Sequence, residues 1–232
     1  METNIVSNIR MIRERIVAAA ARAGRDPDGI QLMAVSKTVP PERILQAADA
    51  GITLFGENYV QEAREKIPAI GHNLSWHMIG HLQTNKVKYV ITLFDWIHSV
   101  DRMELARELD KRAGQQARKL QVLIEVNVSG EASKSGADPS QVLELVRQIS
   151  GLPHLNVRGL MTMPPYSDDP EQSRPYFQAL SKLRDEISMA AIPNIRMDEL
   201  SMGMTDDFEV AIEEGATIIR VGRAIFGERI NK

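Results

Sequence analysis

Two hydrophobic periods alternate along the chain. From Asn4 to Ala23 the apolar positions Ile5, Ile9, Ile12, Ile16 and Ala19 or Ala20 recur at helical spacing, with Arg10, Arg13 and Arg15 elsewhere, which predicts an amphipathic helix. Gly24 and the turn Asp26-Pro27-Asp28-Gly29 end it. Ile30 to Ser36 is then short, apolar and bounded by turn residues, the mark of a buried strand. Pro40-Pro41-Glu42 opens a second helix that runs to about Ala50, before Gly51.

The same unit recurs. Thr53 to Phe55, Leu74 to Ile79, Asp95 to His98, Leu120 to Val128, Val157 to Met161, Glu199 to Ser201 and Thr217 to Val221 read as further strands. Helical stretches fall between them, among them about Tyr59 to Ile67 and about Asp206 to Glu213. About eight strands with intervening helices, and one extra helix in front, predict an α/β fold: a single (β/α)8 barrel over residues 1–232. The competing doubly wound open sheet lacks support, because no Gly-rich dinucleotide fingerprint follows the first strand.

Composition narrows the chemistry. The 232 residues are 43% hydrophobic and 25% charged, ordinary for a globular domain, and the formal net charge is -3. Neither a global positive field nor a basic run is present to draw nucleic acid or anionic lipid. Cys is absent, which removes disulfides, thiolate nucleophiles and Cys-ligated metals and suits a reducing compartment. The N-terminus lacks a basic signal region, and the run Ile16 to Ala21 is too short to span a membrane; the expectation is a cytoplasmic protein.

Barrel chemistry sits where strands end and βα loops begin. Lys37 stands at the end of the first strand, where burial would disfavour its charge and leave an amine ready to condense with a carbonyl. Position alone favours the other reading, a strand-end lysine whose ammonium reaches solvent across the rim. The loops after the seventh and eighth strands change that weighting, because barrels commonly bind phosphate there. Ser201-Met202-Gly203-Met204 and Gly222-Arg223 each contain a Gly that permits close backbone approach, and the first adds a hydroxyl. Together with Lys37 they point to a phosphorylated carbonyl ligand. Arg220 lies one residue before the end of the last strand and by alternation can face the barrel mouth; its partner is a carboxylate or an acceptor on a ligand. His77 and His81 stand four apart, but Gly80 and a predicted strand end argue against a shared helical face, so no metal pair is expected.

Several stretches carry a resemblance to a known family. They include Ala34-Val35-Ser36-Lys37-Thr38, Phe55-Gly56-Glu57-Asn58-Tyr59-Val60-Gln61-Glu62 and the run from Trp76 to Lys86. Ser99-Val100-Asp101-Arg102, Val126 to Glu131, Arg158-Gly159-Leu160-Met161, Leu200 to Thr205 and Arg220 to Gly227 belong with them. In these, nearly the whole chain resembles the pyridoxal phosphate homeostasis protein family, with one departure at Val39, where many relatives carry a basic residue. The resemblance implies a barrel like the N-terminal domain of alanine racemase, with pyridoxal 5'-phosphate held as a Schiff base on Lys37. It implies phosphate contacts from Ser201 and from backbone near Gly203, Gly222 and Arg223, with Arg220 facing the pyridine nitrogen. A guanidinium keeps its proton, so that nitrogen stays unprotonated and the ring is a weaker electron sink. Asn58, His77 and Met161 are expected to line the site.

Racemases of this type add a second domain bearing a catalytic tyrosine, and the sequence ends at Lys232, soon after the last barrel helix. The expectation is therefore a monomeric carrier of the cofactor and not an enzyme. Other B6 vitamers and apo enzymes that use the cofactor are its candidate partners. Two rivals stay open at this point: a weak amino-acid racemase, and a class I aldolase-type barrel that uses the lysine directly.

Overall fold

A computed structural model describes residues 4–70, 74–131 and 134–228. Eight parallel strands close into a barrel in sequence order: β1 (Gln31–Val35), β2 (Leu54–Glu57), β3 (Ser75–Met78), β4 (Trp96–Val100), β5 (Leu120–Glu125), β6 (Leu155–Met161), β7 (Ile195–Ser201) and β8 (Ile218–Val221). The expected (β/α)8 barrel is borne out.

The extra N-terminal helix, α1 (Ile5–Arg22), is capped by Asn4, whose side chain accepts from the Ser7 N–H at 3.0 Å. Its stripe of Ile5, Ile9, Ile12, Ile16, Ala19 and Ala20 is buried. It packs on α2 (Pro41–Asp49), α8 (Phe208–Glu213) and α9 (Arg223–Phe226), so it covers the arc of the barrel where the last strand meets the first. The outer ring continues with α3 (Val60–Ile70), α4 (Val87–Val90), α5 (Met103–Gln115), α6 (Pro139–Ile149) and α7 (Arg174–Met189). No helix of the described residues is long and apolar enough to cross a membrane.

Strand alternation divides the core into two layers. Outward-facing Ala34, Phe55, Trp76, Met78, Ile97, Val122, Ile124, Leu160 and Leu200 join the helices in one large cluster. A small second cluster of Met33, Leu54, Ile79 and Ile218, with Val35 against it, fills the interior on the β1, β2, β3 and β8 side. Other inward positions carry polar side chains: His77, His98, Glu125, Ser201 and Arg220 are all buried. Two bulges contribute to this. Between Ile97 and Val100 three steps of β4 oppose two of β5, and between Val157 and Gly159 β6 gains one residue on β5. A bulge re-aims side chains and leaves one residue out of the ladder; His98 and Ser99, both buried, lie in the shifted stretch of β4.

Candidate functional site

The C-terminal ends of β1 and β8 are neighbours, with Met33 paired to Arg220 and Ala34 to Val221. Lys37 lies two residues beyond β1, half-buried, with the parity of the inward-facing Met33 and Val35. The strand ladder reaches Ser36, whose N–H donates to Gly56 O at 3.0 Å. The chain then turns: Thr38 takes φ +63°, a costly conformation for a β-branched residue. Its N–H is held by Glu62 Oε1 at 2.5 Å, and the Val39 N–H donates to Ser36 O at 3.0 Å.

Behind this turn, between β2 and α3, lies a buried ionic knot. Lys66 Nζ, on a side chain 6% exposed, donates to Ser36 O at 2.7 Å, to Glu57 Oε1 at 2.9 Å and to Glu62 Oε1 at 2.5 Å. Ser36 Oγ donates to the same Glu57 oxygen at 2.7 Å. Burial pushes the Glu57 carboxyl up, and the Lys66 ammonium pulls it part of the way back. The knot fixes the backbone on both sides of Lys37 from outside the barrel, leaving the lysine on the inside.

On the adjoining strand β8, Arg220 is buried and among the described residues forms no ion pair. Its Nη1 donates to Ser201 Oγ and its Nη2 to Thr162 O, each at 2.8 Å. Burial lowers its pKa to about 10, with Asp207 and Glu125 acting the other way at longer range. Glu125, the last residue of β5, is pushed up to about 7, by burial first and by Asp101 second, with Arg220 opposing. Ser201 Oγ also meets His98 Nδ1 at 3.0 Å, and His98 Nε2 meets His77 Nδ1 at 2.9 Å. Burial lowers His77 to about 3 and holds His98 well below the ordinary imidazole range, so both rings are neutral.

The two loops expected to cradle phosphate lie beside this cluster. Gly203 has φ +87°, and a Cβ there would stand 2.5 Å from Ala211 Cβ. At Gly222 a Cβ would approach Val35 O to 3.3 Å, so the backbone after β8 runs tight against β1. Asp207 braces the first loop, accepting from the Met204 N–H at 2.6 Å and from Ser173 Oγ at 2.9 Å. The Arg223 side chain is half-exposed and paired with Asp206, which leaves its backbone for the loop. Among the expected lining residues, Met161 and His77 are buried inside the barrel, and Asn58 follows β2 with Oδ1 buried and unpartnered. Among the described residues Ser99 Oγ, Glu57 Oε2 and Glu125 Oε2 likewise find no partner. These atoms sit at the C-terminal ends of three strands, where a ligand or water must satisfy them. His81 is an exposed loop residue near Ser135, apart from His77, and among the described residues no cluster of metal-ligating side chains occurs.

Residues 5–230 match the model of the family "Alanine racemase, N-terminal domain". The chain is 48% identical to the pyridoxal phosphate homeostasis protein of Aquifex aeolicus over 227 residues, covering 97% of this chain and 99% of that protein. The Escherichia coli K12 protein of the same name is 42% identical over 231 residues, with 97% of each chain covered. This chain belongs to the pyridoxal phosphate homeostasis protein family. Among solved structures, PipY of Synechococcus elongatus with PLP bound superposes with a TM-score of 0.85 at 35% identity, over 97% of this chain and all 100% of PipY. An alanine racemase of Clostridium difficile shares the fold, with a TM-score of 0.77 at 14% identity over 59% of its length.

Lys66, His98 and Glu125 carry no mark in the sequence that sets them apart as site residues. One signal was available for Lys66: it falls in the buried stripe Val60, Ala63, Lys66, Ile70 of α3, where a lysine needs an internal partner. Glu125 and His98 sit inside apolar strand runs, where only a known register shows them facing inward.

Proposed function

We propose that this protein binds pyridoxal 5'-phosphate at the barrel mouth and holds it for transfer, without robust turnover of its own. The observation that carries this reading is Arg220: a buried guanidinium bonded, among the described residues, to neutral oxygens alone, at the end of the strand beside Lys37. A buried cation in that state is suited to an acceptor supplied by a ligand. The cofactor brings an aldehyde, and Lys37 Nζ is the amine positioned to capture it. Arg220, a donor without acceptor capacity, faces the ring nitrogen and keeps it unprotonated. Ser201 and the backbone at Gly203, Gly222 and Arg223 hold the phosphate; Asn58, His77 and Met161 line the site. The tight backbone at Gly203 and Gly222 and the unpartnered Asn58 Oδ1 fit a group of this size and polarity.

Holding without turnover agrees with relatives that this chain covers almost end to end and that carry the homeostasis name. We take the protein as one domain over residues 1–232, monomeric and cytoplasmic, the last in keeping with its lack of Cys. Other B6 vitamers and apo enzymes that need the cofactor are its proposed partners.

Replacing Lys37 with Ala tests the attachment. The variant is expected to keep the far-ultraviolet spectrum of the wild type and to lose the visible band that forms with added cofactor; an unchanged band moves the linkage to another amine. Ser201→Ala and Arg220→Ala are each expected to raise the dissociation constant by roughly tenfold, as loss of one or two buried charge-assisted hydrogen bonds implies. Wild-type titration curves for both variants contradict the site.

A further inference from the structure

Ser201 carries one hydrogen, and its two neighbours compete for how that hydrogen is used. Arg220 Nη1, at 2.8 Å, can only donate, so Ser201 Oγ accepts from it. His98 Nδ1, at 3.0 Å, either accepts the Ser201 hydrogen or donates to Ser201. In the first case nothing remains for a ligand. In the second, the hydroxyl is free to donate out of the cluster.

The choice cannot be made at His98 alone. His98 Nε2 faces His77 Nδ1 at 2.9 Å, a contact that needs one hydrogen: two would clash and none would set lone pair against lone pair. Beyond it, His77 Nε2 lies 3.3 Å from Ser75 Oγ, which lies 3.4 Å from Asp95 Oδ2 at the opposite end of the barrel. Both rings are neutral and carry one N–H each, so the chain has two consistent polarities. In one, hydrogens run outward from Ser201 to His98, to His77, to Ser75 and to the Asp95 carboxylate, with both rings in the Nε2–H form. In the other, Ser75 donates to His77, His77 Nδ1–H to His98 and His98 Nδ1–H to Ser201.

Without a ligand to accept from Ser201, the first polarity satisfies every group from Ser201 to Asp95, whereas the second strands the hydroxyl hydrogen of a fully buried serine. An oxyanion at the mouth reverses the preference by accepting that hydrogen. We propose that His98 and His77 are positioning residues forming a two-state relay that gives Ser201 its donor for an oxyanion ligand, and that filling the mouth converts both rings from Nε2–H to Nδ1–H. The conversion balances as a proton relay. One proton enters from water at Ser201 as its own passes to His98 Nδ1. The His98 Nε2 proton passes to His77 Nδ1, the His77 Nε2 proton to Ser75, and the Ser75 proton leaves to water beside Asp95. No residue changes its net charge.

This inference rests on the phosphate-binding role proposed for Ser201, and its test separates the two. The full chain, with nitrogen-15 labelled imidazoles, is examined by long-range proton–nitrogen correlation NMR, alone, with pyridoxal 5'-phosphate and with pyridoxal, which lacks the phosphate. The chain has five histidines, so assignment by single substitution is direct. The expected result is that both rings protonate Nε2 in the free protein and with pyridoxal, and Nδ1 with the phosphorylated form. A visible cofactor band with unchanged tautomers overturns the relay and leaves the binding reading standing. Equal conversion by pyridoxal also overturns it, because the trigger is then not the oxyanion. No band and no conversion with the phosphorylated form overturns both.

Discussion

A single buried carboxyl shows what the polar barrel interior costs in stability. Glu125 is 2% exposed, its Oε2 has no partner, and its pKa stands at about 7 against an ordinary 4.5. The folded form therefore holds a proton that the unfolded chain has already released between those values. Stability from this group is fully present below pH 4.5 and is lost as pH rises to about 7. The difference is on the order of 3 kcal/mol. Glu125→Gln is expected to raise the melting temperature at pH 8 relative to wild type, with little change at pH 4.5. The two buried histidines act in the opposite sense below the imidazole range, so only the difference between variant and wild type isolates Glu125. A stabilisation equal at both pH values contradicts the assignment. At this scale, Lys37, Ser201 and Arg220 are legible in the sequence because they stand at strand ends beside turn residues. Glu125 and His98 are not, since an inward position is defined only once the strand limits and the β4 bulge are known.

Among the elements, the β1–β2–α3 corner matters most to the site. Lys66 fastens Ser36, Glu57 and Glu62, and through them the strained turn at Thr38. Lys66→Met leaves a buried carboxylate without its cation, which costs about 3–5 kcal/mol for pairs of this kind. The expected outcome in urea denaturation is a loss of that order. Adding Glu57→Gln recovers a large part of it, because the orphaned charge is then gone. If the two substitutions are simply additive, the knot is not the coupled unit described. The variant is also expected to take up cofactor more weakly, with Lys66→Arg closer to wild type.

The sequence finds these elements and misplaces some of their limits for physical reasons. β5 is expected to reach Val128 but ends at Glu125, since Val126 forms only an isolated bridge to Ala137 and Asn127 turns the chain by accepting from Ser129 Oγ and the Gly130 N–H. β7 is expected from Glu199 but starts at Ile195. Arg196 and Asp198 disguise its alternation, and Asp198 pairs with both Arg196 and Arg158 on the barrel's outer side. Helix α3 reaches Ile70, beyond the expected Ile67, with Pro68 in its last turn.

Taken whole, the molecule is a closed parallel barrel, and closure explains why positions far apart in sequence converge. β1 and β8 meet edge to edge, which sets Lys37 beside Arg220 and Gly222; the order of strands alone was enough to predict that neighbourhood. The polar interior was not predictable in the same way, because hydrogen bonds across the barrel, such as His98 to Ser201 over 103 positions, leave no local pattern. The account stands or falls on whether the cofactor is carried on Lys37. Purified protein should show a visible band, and borohydride reduction followed by peptide mass mapping should fix the cofactor on the peptide bearing Lys37. A colourless protein that also fails to take up added pyridoxal 5'-phosphate, or a reduced adduct on another lysine, contradicts it.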